Sequence, residues 1–154
     1  TSKDSFPMEL IEIKERHLAL YGPDPFDGLD VPREHLRLEC EQQIKGMLIR
    51  LRQSFLEIGS KRKGIERLLH VSFSSLLPVF RTILRLRKEA VPPEKEDLII
   101  HVASECDLNA DVFLALLRDK EGDEKIGGHE ATDFFDRYLK ELTNLARKVD
   151  EMAV

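Results

Sequence analysis

Two sets of polar residues recur at helical spacing, one in each of two neighbouring amphipathic segments. Each set repeats every four to eight residues, which places its members on one face of a helix. Arginine pairs well with phosphate or carboxylate oxygens, and lysine, histidine and serine add further polar contacts. The sequence therefore predicts a ligand-binding surface, here called the predicted ledge, formed by Arg37, Lys45, Arg52, His70, Ser74 and Arg81.

Within the predicted ledge we expect Arg52 and Arg81 to make the main contacts with an anionic group, and Arg37 and Lys45 to come second. Arg37 points toward the apolar face of its own segment, where an unpaired guanidinium would be costly. It therefore needs either a carboxylate or a ligand. Internal ion pairs, for example of Arg52 or Arg81 with Glu41 or with acids of the last helix, are the alternative interpretation.

The distribution of charge favours an anionic ligand over a nucleic acid. Residues 45–90 contain eleven lysines and arginines but three glutamates, in a chain whose net charge is −5. A basic centre in an acidic chain suits a bound anion, although pairing of basic with acidic helices explains it equally. The acidic total and an aromatic content of 6% argue against a general nucleic-acid surface.

Other chemistries find weaker support in the sequence. Residues 119–130 place acids like a calcium-binding loop, but the sixth place, which needs glycine, holds Glu124. We interpret this stretch as an acidic linker.

His101 and Glu105 share a helix face without a second pair to complete a metal site, so we predict no metal ligands. Three serines near His70 lack a glycine-flanked turn, and we expect their hydroxyls to bond back to helix carbonyls.

The elements that carry these residues are predicted to be helices throughout. Residues 61–88 are apolar around most of the helix circumference, which is typical of a central helix, and Pro78 predicts a kink within it. A helix from Pro32 to about Ile58 precedes it, with Asp30 as a candidate cap. After the stop at Val91-Pro92-Pro93 we expect helices at about 93–106, 110–120 and 129–152, with Asn109 capping the second of these.

The fold class is therefore all-α, an antiparallel bundle of five to six helices around a central kinked helix. Residues 1–154 are expected to form a single helical domain, with residues 8–17 ambiguous between helix and strand. Cys40 and Cys106 lie in helical patterns and are expected to be buried free thiols of a reducing compartment. With no membrane-spanning run and no signal pattern, we expect a cytoplasmic protein.

Three stretches carry a family resemblance: FPMELIEIKERHLALYGPDPF at 6–26, LRLECEQQIKGMLIRLRQSFL at 36–56 and SFSSLLPVFRTILRL at 72–86. In them the chain resembles the C-terminal helical part of bacterial minimal nucleotidyltransferase-like proteins, and the HEPN bundles that accompany such enzymes. The resemblance implies that residues 1–22 are the tail of a preceding catalytic domain. It implies that the remainder is a helical substrate-binding domain.

The catalytic signatures of that family are missing from this sequence. Nucleotidyltransferases of this kind carry a Gly-Ser followed by an Asp-x-Asp pair that holds magnesium. Gly59-Ser60 has no such pair after it, and Arg62 stands too far from His70 for the HEPN ribonuclease motif. We therefore expect a non-catalytic chain that binds no cofactor itself, with Mg²⁺ needed only by a separate catalytic domain.

Two hypotheses about function follow from these observations. In the first, the chain contributes substrate or nucleotide binding to a nucleotidyltransferase catalytic domain, in the same chain or another. In the second, it is a helical interaction module that forms homodimers through exposed apolar residues on the first segment or the last helix. A HEPN-like toxin–antitoxin partner is a variant of this second hypothesis.

Overall fold

The computed structural model describes residues 32–59, 61–122, 125 and 131–152 of the chain. Within these ranges it has five α-helices and no strand, which confirms the predicted all-α bundle. The helices are α1 (Arg33–Ile58), α2 (Arg62–Leu86), α3 (Lys95–Cys106), α4 (Ala110–Glu121) and α5 (Ala131–Asp150). The ambiguous stretch at 8–17 and the suggested domain tail at 1–22 lie outside the described residues.

Helix α2 is the centre of the bundle, as its apolar circumference predicted. It packs against each of the other four helices. Its buried apolar residues are Ile65, Leu69, Phe73, Leu76, Leu77, Val79, Phe80, Ile83, Leu84 and Leu86. The helix runs through Pro78 without interruption, and the Thr82 hydroxyl donates to the Pro78 carbonyl at 3.1 Å. The kink at Pro78 stays a prediction.

Helices α1 and α5 form the second layer against α2. The start of α1 contacts the end of α2 through Arg33 and the Leu86 carbonyl, and the end of α1 lies against the start of α2, so these two helices pack antiparallel. On α5 the six apolar residues expected from the sequence are all buried: Phe134, Phe135, Tyr138, Leu142, Leu145 and Val149. The rings of Phe55 and Phe135 stack at 4.7 Å and join α1 to the beginning of α5. The two cysteines are buried free thiols, as expected, and burial raises the pKa of Cys40 to about 12.

The ends of the helices differ from the expected boundaries in ways that backbone chemistry explains. Pro32 is the residue before α1 rather than part of its first turn, and its carbonyl accepts from the Leu36 N–H at 3.2 Å. The candidate cap Asp30 lies outside the described residues. Helix α5 covers Ala131–Asp150 and ends two residues before Met152, whereas its expected start at His129 lies outside the described residues.

Helix α2 ends at Leu86, before the prolines that were expected to stop it. Lys88 adopts a left-handed conformation with φ 59°, and the Glu89 N–H donates to the Leu84 carbonyl at 2.9 Å. This is a Schellman motif with a lysine in the position that usually holds glycine. Helix α3 then starts at Lys95 rather than Pro93 and ends in the same way, with Asp107 at φ 56°.

The beginning of α4 is held by two side chains. Asn109 accepts from the Asp111 N–H at 3.0 Å, which confirms it as the predicted cap. The Asn109 N–H in turn donates to Oε1 of Glu141, at 2.7 Å, and Glu141 on α5 is 8% exposed. A carboxylate at this position also faces the positive end of the α4 dipole.

None of the described helices is long and apolar enough to cross a membrane.

Candidate functional site

A histidine on α2 and an aspartate on α4 form a polar contact between these helices. The Nε2 atom of His70 lies 2.6 Å from Oδ2 of Asp119. Asp119 is 1% exposed, whereas 30% of the His70 side chain is exposed. Because an ionised carboxylate can only accept, Nε2 is the nitrogen that carries the hydrogen. Asp119 therefore orients the imidazole at the surface.

Two further donors lie beside this pair. Ser74 is one helical turn beyond His70, and Nζ of Lys120 donates to its hydroxyl. Both side chains are exposed. Nζ of Lys125 approaches the Asp119 carbonyl oxygen at 3.5 Å and brings a second ammonium group to the same place. His70, Ser74, Asp119 and Lys120 are called the His70 cluster below.

The serines around His70 have three different partners. Ser75 bonds back to the Val71 carbonyl at 3.2 Å, as expected for a serine within a helix. Ser72 instead lies 2.7 Å from the hydroxyl of Tyr138, so this buried pair joins α2 to α5. Burial raises the pKa of Tyr138, and the hydrogen bond with Ser72 partly opposes that shift. Of the three serines, only Ser74 is part of the His70 cluster.

The α1 members of the predicted ledge form a separate ion-pair network. Arg37, whose side chain is 12% exposed, contacts Oε1 of Glu34 at 2.7 Å and Oε2 of Glu41 at 3.1 Å. Lys45 contacts the other oxygen of Glu41 at 2.5 Å. The hydrogen bonds of Lys45 and Arg37 lower the pKa of Glu41, and that of Arg37 lowers the pKa of Glu34. Arg37 was expected to need a carboxylate or a ligand, and two carboxylates of its own helix pair with it.

The structure divides the predicted ledge into two parts, one between α2 and α4 and one within α1. His70 and Ser74 meet residues of α4, while Arg37 and Lys45 meet through Glu41 on α1. Arg81 is half-buried two turns beyond Ser74 on α2, and Arg52 is exposed on α1. Part of the ledge is therefore one local site, and its α1 part is largely an internal ion-pair network.

Sequence reasoning missed the α4 half of the cluster. Asp119 stands at the first place of the calcium-like stretch, but it lies within α4 and is buried against His70. Most of that stretch lies outside the described residues. A signal was present in the sequence, because Asp119 shares a helix face with the apolar residues Val112 and Leu116. An acid on an apolar face requires a partner, and His70 supplies it.

Comparisons with known proteins add no relative to this picture. No protein-family model matches the chain, and searches of curated proteins and of solved structures also find no match. The resemblance to nucleotidyltransferase-associated helical domains stays a prediction.

Proposed function

We propose that this chain is a non-catalytic helical domain that binds an anionic group, such as the phosphate of a nucleotide, at the His70 cluster. It would present that substrate to a nucleotidyltransferase-type catalytic domain in the bacterial cytoplasm. The catalytic domain would supply the chemistry and the Mg²⁺. The observation that carries the proposal is the orientation of His70 by the buried Asp119, beside the donors of Ser74 and Lys120.

The chemistry of the cluster suits an anion. Lys120 carries a positive charge, Ser74 a hydroxyl, and His70 gains a second N–H donor at Nδ1 when it is protonated. Asp119 is the acid of the cluster, and its side chain is buried, with 1% exposed. Its Oδ2 atom faces His70 Nε2 at 2.6 Å. Arg81 extends the same face of α2 and would place a guanidinium near a second phosphate.

The test is thermal unfolding of the chain with a panel of nucleotides and with inorganic phosphate, each with and without Mg²⁺. A ligand at a hundredfold excess over its Kd adds about 2.7 kcal/mol to the free energy of unfolding, enough to raise Tm by several degrees. We expect Lys120→Ala and Arg81→Ala to reduce this rise. Lys140→Ala, an exposed lysine on α5, should leave it unchanged.

Two results would contradict the proposal. One is an absence of any shift with every nucleotide and with phosphate. The other is a shift that Lys120→Ala and Arg81→Ala leave intact while Arg52→Ala removes it, which would move the ligand to α1.

A second candidate function, a homodimerising interaction module, is favoured by the outer face of α1. Leu38, Ile49 and Leu56 are 40%, 55% and 83% exposed. Their spacings of eleven and seven residues place them in one line, opposite the buried line through Cys40 and Ile44. A second copy of the chain offers the same line, and two-fold pairing would cover both.

The hypothesis from the sequence placed the exposed apolar residues on the first segment or the last helix, and the first segment lies outside the described residues. The large apolar residues that are exposed among the described residues lie on α1, α2 and α3 and not on the last helix. Light scattering distinguishes the candidates: a dimer that Leu56→Lys converts to a monomer supports the interaction module. A wild-type monomer at high concentration excludes it. Co-purification with a separate nucleotidyltransferase chain would support the toxin–antitoxin variant.

A further inference from the structure

Three potential metal ligands converge where the chain leaves α2 and meets α3. They are Glu89, His101 and Glu105, and one ligand atom of each lies within 4.8 Å of those of the other two. The distance from His101 Nε2 to Glu89 Oε2 is 3.5 Å, and that to Glu105 Oε1 is 3.9 Å. The sequence showed the pair on α3 but not Glu89, which precedes His101 by twelve residues.

The backbone explains why these side chains meet. His101 and Glu105 are one turn apart on α3, so they lie on the same face. Glu89 is the residue that closes the Schellman motif of α2, and its N–H bond to the Leu84 carbonyl fixes its position. The third ligand therefore comes from a defined turn between two packed helices.

The spacing of the ligand atoms is close to that around a zinc ion. Zn²⁺ binds histidine nitrogen and carboxylate oxygen at about 2.0–2.2 Å in tetrahedral geometry, which separates the ligand atoms by about 3.3–3.6 Å. One of the observed distances, 3.5 Å, falls within that range, and the other, 3.9 Å, slightly exceeds it. The third separation, between the carboxylate oxygens of Glu89 and Glu105, is within 4.8 Å, so the three ligand atoms would draw closer together around a bound ion.

The surroundings of the three residues also resemble a metal site. Nε of Arg87 donates to Oε2 of Glu105 at 2.9 Å, which leaves Oε1 directed toward His101. Hydrogen bonds of this kind to the second oxygen orient ligating carboxylates in metalloproteins. Two carboxylates and one imidazole form a ligand set that zinc and similar divalent transition metals accept.

We infer that Glu89, His101 and Glu105 form a binding site for a divalent transition metal, with Zn²⁺ as the ion that their chemistry and spacing fit. Three protein ligands leave a fourth position open. Glu89 and Glu105 also line a groove of about 510 Å³, together with Arg33, Arg87, Lys88 and Lys148. The open position would be accessible from this groove, whose cations suit an anionic fourth ligand. The inference departs from the sequence-based prediction of no metal ligands and is independent of the His70 cluster.

The test is calorimetric titration of the chelator-treated chain with ZnCl₂. We expect one ion per chain at this site. Loss of an outer-shell partner typically weakens metal binding by about 10–100-fold. We expect His101→Gln and Glu105→Gln to weaken it by at least that much, because they remove direct ligands.

Two matched controls separate this site from other zinc-binding residues. His35→Gln changes a histidine on α1, and Glu96→Gln changes an exposed glutamate on the first turn of α3. Both variants should bind Zn²⁺ as the wild type does. With Co²⁺ in place of Zn²⁺, the wild type should show the visible absorption of a tetrahedral site and His101→Gln should not. Failure of the wild type to bind Zn²⁺, or unchanged binding by His101→Gln, would overturn the inference.

Discussion

At the scale of single residues, a specific partner faces each of three charges, of which Asp119 and Glu141 are buried and Arg37 is half-buried. Arg37 is held between Glu34 and Glu41, and Asp119 faces His70. Glu141 accepts from the backbone of Asn109, and from the Asn144 side chain at 3.4 Å. Because a buried charge without a partner costs several kcal/mol, the contacts of Asp119 and Glu141, which join different helices, restrict how those helices can pack.

The pairing of Glu41 predicts a dependence of stability on acid. Its pKa is lowered by Lys45 and Arg37, so its contribution to stability is complete above the unfolded-state pKa of about 4.3 and is lost as the pH falls through the folded-state pKa. Urea unfolding should therefore show Glu41→Gln less stable than wild type at pH 7, and this difference in the free energy of unfolding should narrow below about pH 5. For Gln42→Ala, a neutral exposed neighbour, the difference from wild type should not change with pH. A constant difference for Glu41→Gln would refute the assignment.

Glu141 should contribute measurably to stability although it belongs to neither candidate site. Glu141→Ala leaves the Asn109 N–H without its acceptor, which typically costs about 1–3 kcal/mol. Chemical denaturation measures this loss directly. Asp136→Ala changes an exposed acid on the same helix and should stay within about 0.5 kcal/mol of wild type. Equal effects of the two substitutions would show that the cap contributes nothing.

At the scale of the helices, the left-handed Lys88 is a strained position that glycine would relieve. A non-glycine residue in this conformation costs about 1–2 kcal/mol, which glycine would avoid. Glycine also makes the unfolded chain more flexible, and this offsets part of the stabilisation. We expect Lys88→Gly to raise the free energy of unfolding by up to about 1 kcal/mol. Lys88→Ala keeps the strain and should show no such gain. A less stable Lys88→Gly would contradict this account of the motif.

The first turn of α2 depends on a glycine for a different reason. A Cβ added at Gly64 would overlap Cγ2 of Ile58, at the end of α1. Overpacking of this kind costs about 1–3 kcal/mol, whereas alanine gains about 1 kcal/mol in helix propensity. We therefore expect Gly64→Ala to be destabilising in the wild type and stabilising in an Ile58→Ala background. A double-mutant cycle by urea unfolding measures the difference, and additive effects would refute the close contact.

At the scale of the whole molecule, the apolar pattern of the sequence was sufficient for the bundle and insufficient for the sites. The full apolar circumference of residues 61–88 predicted a central helix, and the stripe of α5 predicted its buried face. The His70 cluster depends on a contact between residues 49 positions apart. The site formed by Glu89, His101 and Glu105 depends on contacts between residues 12 and 16 positions apart. Such contacts follow from how the helices pack and from a lysine in a glycine position, which periodicity does not encode.

The cap that Glu141 places on α4 has a consequence for the order in which the chain folds. An isolated helix of twelve residues is marginal in water, and the acceptor for the Asn109 N–H comes from a residue 32 positions later. The α1–α2 hairpin closes over three residues and can form early, whereas the Asn109 N–H gains its acceptor only when α5 has packed against the start of α4. Hydrogen exchange should show the first turn of α4 losing protection in Glu141→Ala while the hairpin keeps its own. The last helix would then complete an element that precedes it in the chain.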